Sequence, residues 1–199
     1  MALTPPPGYD RDREIVDAVR GGSVRSFSII IDRHRDRAMT LAVRLLRERG
    51  EAEEAVQDAF LRAFRALDGF RGEARFSTWF YRIVYNSCMS RLRTAGRVRV
   101  DDTAPEVDGA SPTFADEETD IQERLETEEL REIMMEEMSR LPVHYSASLT
   151  LLYVQELKYD EIAQVLQVPL GTVKTNISRG RVLLRRRVRE RISEEAIPR

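Results

Sequence analysis

The sequence predicts an all-α fold of two small helical domains joined by an acidic flexible linker, and three observations carry that prediction. Apolar residues recur at steps of three and four over nearly the whole chain, and no segment alternates as a half-buried strand does. The stretch DDTAPEVDGASPTFADEETD, residues 101–120, breaks the periodicity with Pro105, Gly109 and Pro112. Charge is segregated on either side of that stretch, although the formal net charge is only -2.

A short helix is expected over residues 12–20, stopped by Gly21 and Gly22. Phe27, Ile31, His34, Ala38, Leu41 and Leu45 then mark one face of a long helix, so FSIII belongs to a helix rather than a strand. The next helix begins near Glu51 and ends at Gly69. Its inward stripe is Ala52, Val56, Phe60, Ala63 and Leu67, with Ala55, Ala59 and Phe64 alongside. The segment FSTWFYRIVYNSCMSRLR supplies a further helix from about Ser77, a candidate cap, to about Arg93. Beyond the linker, Leu125, Ile133, Met134, Met138 and Leu141 restore the helical period, the methionines reading as adaptable core packing. The resulting partition is a tail with a short helix (1–23), a first domain (24–98), the linker (99–120), a second domain (121–193) and a tail (194–199).

Several function classes are closed off by composition. A single cysteine, Cys88, excludes an internal disulfide and any multi-cysteine metal site, and reads as a buried small hydrophobe. No run approaches the roughly 18 apolar residues of a membrane span, and the Pro-rich start has no signal-peptide core. A cytoplasmic protein without membrane insertion, metal or cofactor is the expectation. His34 and His144 stand alone in the sequence and read as structural or exposed, so the carboxylates lack the positioned partners that acid–base catalysis needs. An enzyme is not expected.

The charge pattern points to nucleic acid where the total does not. Residues 74–100 hold six arginines and no acid, and residues 101–137 hold fifteen acids against Arg124 and Arg131. Residues 170–193 hold eight bases against Glu190. The acidic linker is therefore able to fold back on either basic block and compete with DNA for it. In the last block, YDEIAQVL is a short amphipathic helix with Ile162, Ala163, Val165 and Leu166 inward, QVP a turn, and LGTVKTNISRGRVLL a second helix capped by Thr172. Val173, Ile177 and Leu184 face back, leaving Lys174, Thr175, Ser178, Arg179 and Arg181 outward near the helix start. Those are the positions from which a helix-turn-helix reads base edges.

Together, LPVHYSASLTLLYVQELKYDEIAQVLQVPLGTVKTNISRGRVLLRR and AEEAVQDAFLRAFRALDGFRGEARFSTWFYRIVYNSCMSRLR resemble regions four and two of bacterial sigma factors of the extracytoplasmic-function subfamily. With the helix from Phe27, the resemblance covers about two-thirds of the chain in the family's order. It implies binding to core RNA polymerase through the helix carrying Gln57, Asp58, Leu61, Arg62 and Arg65, whose outward Leu61 beside polar groups suits a protein contact. It implies minus-ten recognition and strand capture by Phe70, Arg71, Gly72, Arg75, Phe76, Arg82, Tyr85, Asn86 and Arg91. Aromatic rings interleaved with cations suit unstacked bases, though Trp79 and Phe80 read as core. Minus-thirty-five recognition falls to Thr172, Lys174, Thr175, Ser178, Arg179 and Arg181. Promoter DNA, duplex and melted, and an anti-sigma factor are the implied partners beside the polymerase.

Gly180 stands where the family usually carries alanine, at a cost of about 1 kcal/mol of helix stability. His144-Tyr145-Ser146 replaces the usual start of its helix, and the linker is longer and more acidic than many. The alternative reading is a helix-turn-helix regulator that does not join polymerase, which leaves Gln57, Asp58 and Leu61 without a role.

Overall fold

A computed structural model of the chain describes residues 12–97 and 128–195. Eight α-helices account for most of them: α1 (Arg13–Arg20), α2 (Phe27–Leu46), α3 (Arg49–Ala66), α4 (Phe76–Thr94), α5 (Glu128–Arg140), α6 (Val143–Tyr153), α7 (Tyr159–Leu166) and α8 (Leu170–Glu195). Short 3-10 turns lie at Val24–Ser26 and Leu67–Gly69. The expected linker, residues 99–120, lies outside the described residues, as do the tails before residue 12 and after residue 195.

Local chemistry sets the helix ends. Arg47 takes the left-handed conformation at φ 63° and ends α2. Glu48, extended, then caps α3, its carboxylate accepting the Gly50 N–H at 2.9 Å and the Glu51 N–H. Those two backbone donors hold the Glu48 carboxyl below its ordinary range. This cap starts α3 two residues before the start expected from apolar spacing. Likewise α4 begins at Phe76 after extended Arg75, and Ser77 is inside its first turn rather than capping it.

The first unit packs α2, α3 and α4 against one another, with α1 sealing one edge. Ala52, Ala55, Ala59 and Ala63 are fully buried along α3, which lets the neighbouring helices approach closely. Phe80 stacks on Phe60 at 4.7 Å between ring centroids. The seal of α1 is electrostatic. Buried Asp12 accepts from His34 Nε2 at 2.7 Å and from Arg33 Nη1 at 2.5 Å. Arg20 donates to the carbonyls of Leu67, Asp68 and Phe70. His34 is thus structural but not isolated: besides Asp12 it meets the rings of Phe76, Phe80 and Tyr81.

In the second unit, α5, α6 and α7 gather about α8. Ile162, Val165 and Leu166 from α7 and Val173, Ile177 and Leu184 from α8 are buried, as their spacing predicts. Gly180 is a close-approach position. A Cβ there would stand 3.1 Å from Leu149 Cδ1 and 3.3 Å from Tyr145 Cβ, so the glycine lets α8 press on α6. What reads as a weak point in the helix is a packing requirement.

The sequence suggests two bodies connected only by a tether. The structure brings them into contact, α7 against α4 and α5 and α6 against α2. Gln155 Nε2 donates across this seam to the Arg37 carbonyl at 2.8 Å.

Burial pushes the Asp12 carboxyl up, but the hydrogen bonds and charges of His34 and Arg33 outweigh it and hold it below 3.8. Its stabilising contribution is therefore complete above the unfolded value near 3.8 and lost as pH falls through the lower folded value. Asp12→Asn should cost about 2 kcal/mol at neutral pH. The difference in urea midpoint between variant and wild type should narrow below about pH 4; a gap independent of pH would refute the assignment. Gly180→Val should destabilise by about 1–3 kcal/mol through overpacking against Leu149, measured by thermal or urea unfolding. Burial also pushes the Cys88 thiol to about 12, with nearby Arg91 opposing only in part. The native protein should therefore resist a thiol reagent at pH 8 that labels the urea-unfolded chain within minutes.

Candidate nucleic-acid and polymerase interfaces

Three surfaces carry the residues that the sequence singles out. On α3, Gln57, Leu61, Arg62 and Arg65 are exposed opposite the alanine stripe. Leu61 is 48% exposed and Phe64 37%, so they form a small apolar patch among cations. Phe64, expected on the inward side, leans edge-on against Phe27 at 5.0 Å and keeps one side in solvent. Asp58 is half-buried and accepts from Arg91 Nη2 at 2.9 Å, while Glu54 accepts from Arg91 Nη1 at 2.8 Å. The Glu54 hydrogen bond, with Asp58 adding to it against partial burial, raises the Arg91 guanidinium above its ordinary value. Arg91, expected on the minus-ten strand, is a clamp between α4 and α3.

The second surface is an open cleft of about 410 Å³ at the N-terminal end of α4. It is lined by Gly69, Phe70, Arg71, Gly72, Glu73, Ala74, Thr78, Trp79, Arg82 and Gln164. Gly72 turns the loop at φ 73°, a conformation that costs other residues about 1 kcal/mol or more. Phe70 packs on Trp79 at 5.2 Å and forms the floor of the cleft. Trp79 reads as core from sequence, but it is half-buried with part of its indole lining the cleft. Arg71 and Arg82 line the same cleft, with Glu73 as the carboxylate among its lining residues. A tryptophan and two arginines at a cleft of this size are suited to one unstacked base and its phosphate.

Two expected strand contacts lie elsewhere. Phe76 is fully buried, 5.8 Å edge-on from Phe70 and 6.0 Å from Phe80, so its ring is core and has no face to offer a base. Tyr85 is 8% exposed, and burial pushes its phenol to about 12. Aromatic identity could not separate these from Trp79, because all three belong to one helix and only the packing of its neighbours decides which rings are covered. Arg75, just before α4, and Asn86, on it, are exposed: Arg75 Nε is 3.7 Å from Glu161 Oε1 of α7, and Asn86 Nδ2 donates at 3.5 Å to Oε1 of Gln167, just past the end of α7.

The third surface is the helix-turn-helix. Gln167, left-handed at φ 58°, ends α7, and Val168 and Pro169 lead into α8. The helix starts at Leu170, and the Val173 N–H already donates to the Pro169 carbonyl at 3.2 Å. Thr172 therefore sits within the first turn and is not the cap. Lys174 is exposed; Thr175, Ser178, Arg179 and Arg181 are half-buried along the outer face. The Thr175 hydroxyl donates to the Gly171 carbonyl at 3.0 Å, which leaves its oxygen lone pairs to accept. Arg181 donates from Nε to the Tyr153 hydroxyl at 2.6 Å, and its guanidinium lies 5.5 Å from the centre of that ring.

Tyr153, Glu161, Gln164 and Gln167 were not singled out by sequence. Only Glu161 left a signal there: three residues after Lys158, it accepts the Lys158 N–H at 2.9 Å as a first-turn cap of α7. Among the described residues no group of three or more His, Cys, Asp or Glu side chains converges as a metal site would, and no helix is long and apolar enough to cross a membrane.

Residues 30–98 match the Sigma-70 region 2 family, and residues 131–184 match Sigma-70 region 4. The chain is 34% identical over 173 residues to the ECF RNA polymerase sigma-E factor of Escherichia coli K12, covering 85% of this chain and 90% of that protein. It is 32% identical over 175 residues to the RNA polymerase sigma-H factor of Pseudomonas aeruginosa, covering 86% and 91%. Among solved structures, its fold resembles the sigma factor RpoE in complex with the anti-sigma factor NepR from Bartonella quintana. That match has a TM-score of 0.61 and 19% identity, and covers 83% of this chain and 98% of the other. The fold of CnrH, solved with the cytosolic domain of CnrY, matches with a TM-score of 0.59 and 20% identity over 87% and 94%.

Proposed function

The chain belongs to the extracytoplasmic-function sigma factors of bacterial RNA polymerase, and from that membership we propose which of its surfaces meets which partner. As a sigma factor it joins core polymerase and directs initiation at promoters. In the proposed division, residues 24–98 hold the polymerase and the minus-ten element, and residues 121–193 read the minus-thirty-five element. The outer face of α3, with Gln57, Leu61, Arg62 and Arg65, docks on the polymerase. Asp58 contributes there chiefly by fixing Arg91. It works without catalytic residues or a cofactor and in the cytoplasm. An anti-sigma protein belongs to the same proposal, on the strength of the family.

One observation supports the strand-opening role above the rest. The cleft at the head of α4 combines Trp79, Phe70, Arg71 and Arg82 in a volume of about 410 Å³. Capture of a flipped base there offsets the few kcal/mol of unpairing without chemical fuel. Arg75 and Asn86 extend the same face along α4. On α8, Lys174, Thr175, Ser178 and Arg179 take duplex DNA, with Arg181 steadied by Tyr153 at its margin. Lys and Arg reach guanine edges or phosphates, and the hydroxyls take either.

Leu61→Arg should weaken association with core polymerase by about 2 kcal/mol or more, if Leu61 is the centre of the contact. Its exposure means that folding survives the substitution. The comparison is by native-gel or fluorescence titration against core, with Asn86→Ala as the partner variant. Asn86→Ala should bind core normally and open less promoter DNA by permanganate reactivity. Wild-type core affinity in a folded Leu61→Arg would remove α3 from the polymerase contact.

A further inference from the structure

Arg181 is held differently from the arginines further along α8. Arg186 lies 3.7 Å from Glu190, Arg187 3.7 Å from Glu137 and Arg191 3.9 Å from Glu136, so a carboxylate offsets each of those charges. Arg181 donates instead from Nε to the phenol oxygen of Tyr153 at 2.6 Å, with its guanidinium carbon 5.5 Å from the centre of that ring. A phenol braces the side chain without cancelling its charge. The bond uses only the Nε–H and one lone pair of the phenol oxygen, so the terminal Nη groups and the Tyr153 O–H proton remain to donate. Tyr153 ends α6 and is 46% exposed, which leaves that proton within reach of a ligand.

We propose that Tyr153 and Arg181 form a clamp for one phosphate of duplex DNA, the Tyr153 O–H and the Arg181 Nη groups donating to oxygens of the same phosphate. The inference rests on the reading of α8 as the duplex-reading helix and adds to it a DNA contact on α6.

Placement selects a phosphate over a base edge. Lys174, Ser178 and Arg181 follow one another at steps of four and three along one side of α8. Arg181 is about 10 Å along the axis from Lys174, two turns beyond the helix start from which bases are read. Its Nε bond ties the guanidinium back to α6, at the flank where a helix-turn-helix meets the sugar-phosphate backbone. Gly180 makes that tie possible. A Cβ there would stand 3.1 Å from Leu149 Cδ1, one turn before Tyr153 on α6, so the close approach of the two helices brings the phenol to Arg181. Two converging donor groups, one of them cationic and neither matched by a carboxylate, suit an anion with several oxygens. Fixing one phosphate fixes the register of α8 on the duplex, and so the base pairs that Lys174 and Ser178 meet.

The test uses the full chain assembled with core polymerase and a duplex fragment that the wild-type holoenzyme selects from a randomised pool. Tyr153→Phe keeps the ring and removes only the hydroxyl, so the fold survives, which circular dichroism verifies. It should weaken duplex binding about three- to tenfold, with base preference and salt dependence unchanged. Arg181→Ala should flatten the slope of log affinity against log salt by about 0.9, the share of one phosphate. Neutral methylphosphonates are then placed one at a time along the upstream duplex. One position should weaken the wild type, and the same position should weaken Tyr153→Phe and Arg181→Ala less. Wild-type affinity in Tyr153→Phe overturns the clamp and leaves Tyr153 as a brace for Arg181. Relief at two different phosphates in the two variants, or a changed base preference in Tyr153→Phe, overturns it as well. If neither Lys174→Ala nor Arg181→Ala alters affinity or preference for the upstream duplex, the reading of α8 as the duplex-reading helix fails and the clamp fails with it.

Discussion

Phe80 is the point at which the first unit is locked. It is fully buried, stacked on Phe60 of α3 at 4.7 Å, nearly parallel to Phe76 at 6.0 Å and 5.7 Å from His34 of α2. Each ring pair contributes about 0.5–1.5 kcal/mol beyond the area it buries. More consequential is the geometry: rings from three helices meeting at one place leave α4 no freedom to rotate about its axis. Fixing that rotation fixes which residues remain outside. Asn86, Arg75 and one side of Trp79 face outward because Phe76, Phe80 and Tyr81 face inward. The alanine stripe does the same for α3, since Ala52, Ala55, Ala59 and Ala63 all lie against the core and Gln57, Leu61 and Arg65 therefore cannot.

Charge follows a comparable division of labour. The basic run at the end of the chain is not one uniform attractor for DNA. Arg187 lies 3.7 Å from Glu137 and Arg191 lies 3.9 Å from Glu136, so the acids of α5 engage the distal half of α8. Glu137, only 4% exposed, also accepts from Arg140 at 2.7 Å. These pairs hold α5 against α8 and draw Arg187 and Arg191 out of the cationic surface, which keeps exposed Lys174 near its start and exposed Arg185 and Arg189 further along. Part of the acidity that lowers the pI to 5.9 is thus structural.

The helices and both buried stripes were legible in the sequence because helical burial has a period, and a period survives without coordinates. Ala52, Val56, Phe60 and Ala63 of α3, Leu67 just past it, Ile162, Val165 and Leu166 of α7 and Val173, Ile177 and Leu184 of α8 are buried as their spacing predicts, while Phe64 and Ala163, expected inward, keep part of their surface exposed. The failures share one cause. Phe76, Trp79 and Tyr85 are all aromatic residues of α4, and only the neighbouring helices decide which of them reaches solvent. Arg91 looked like a cation for DNA because Glu54 and Asp58, which engage it, lie more than thirty positions away in the chain. Gly180 read as a helix defect for the same reason: Leu149, the residue it makes room for, is on another helix. Long-range pairing, not local propensity, was the missing information.

A contact between the two units also constrains how any partner can separate them. The seam draws on α2 and α4 from the first unit, whereas Leu61 on α3 stays 48% exposed with the units together. A partner that holds only the outer face of α3 therefore finds the same surface whether the units are apart or closed. A ligand with equal affinity for two states shifts nothing, however tightly it binds. Opening requires a partner that grips both units at a separation the closed form cannot reach, or one that claims the α4 face directly. Reversing a closed population from 99:1 to 1:99 takes about 5.5 kcal/mol of such differential binding. A buried Arg44 without a carboxylate and long polar contacts at Glu161 and Gln167 reduce that requirement.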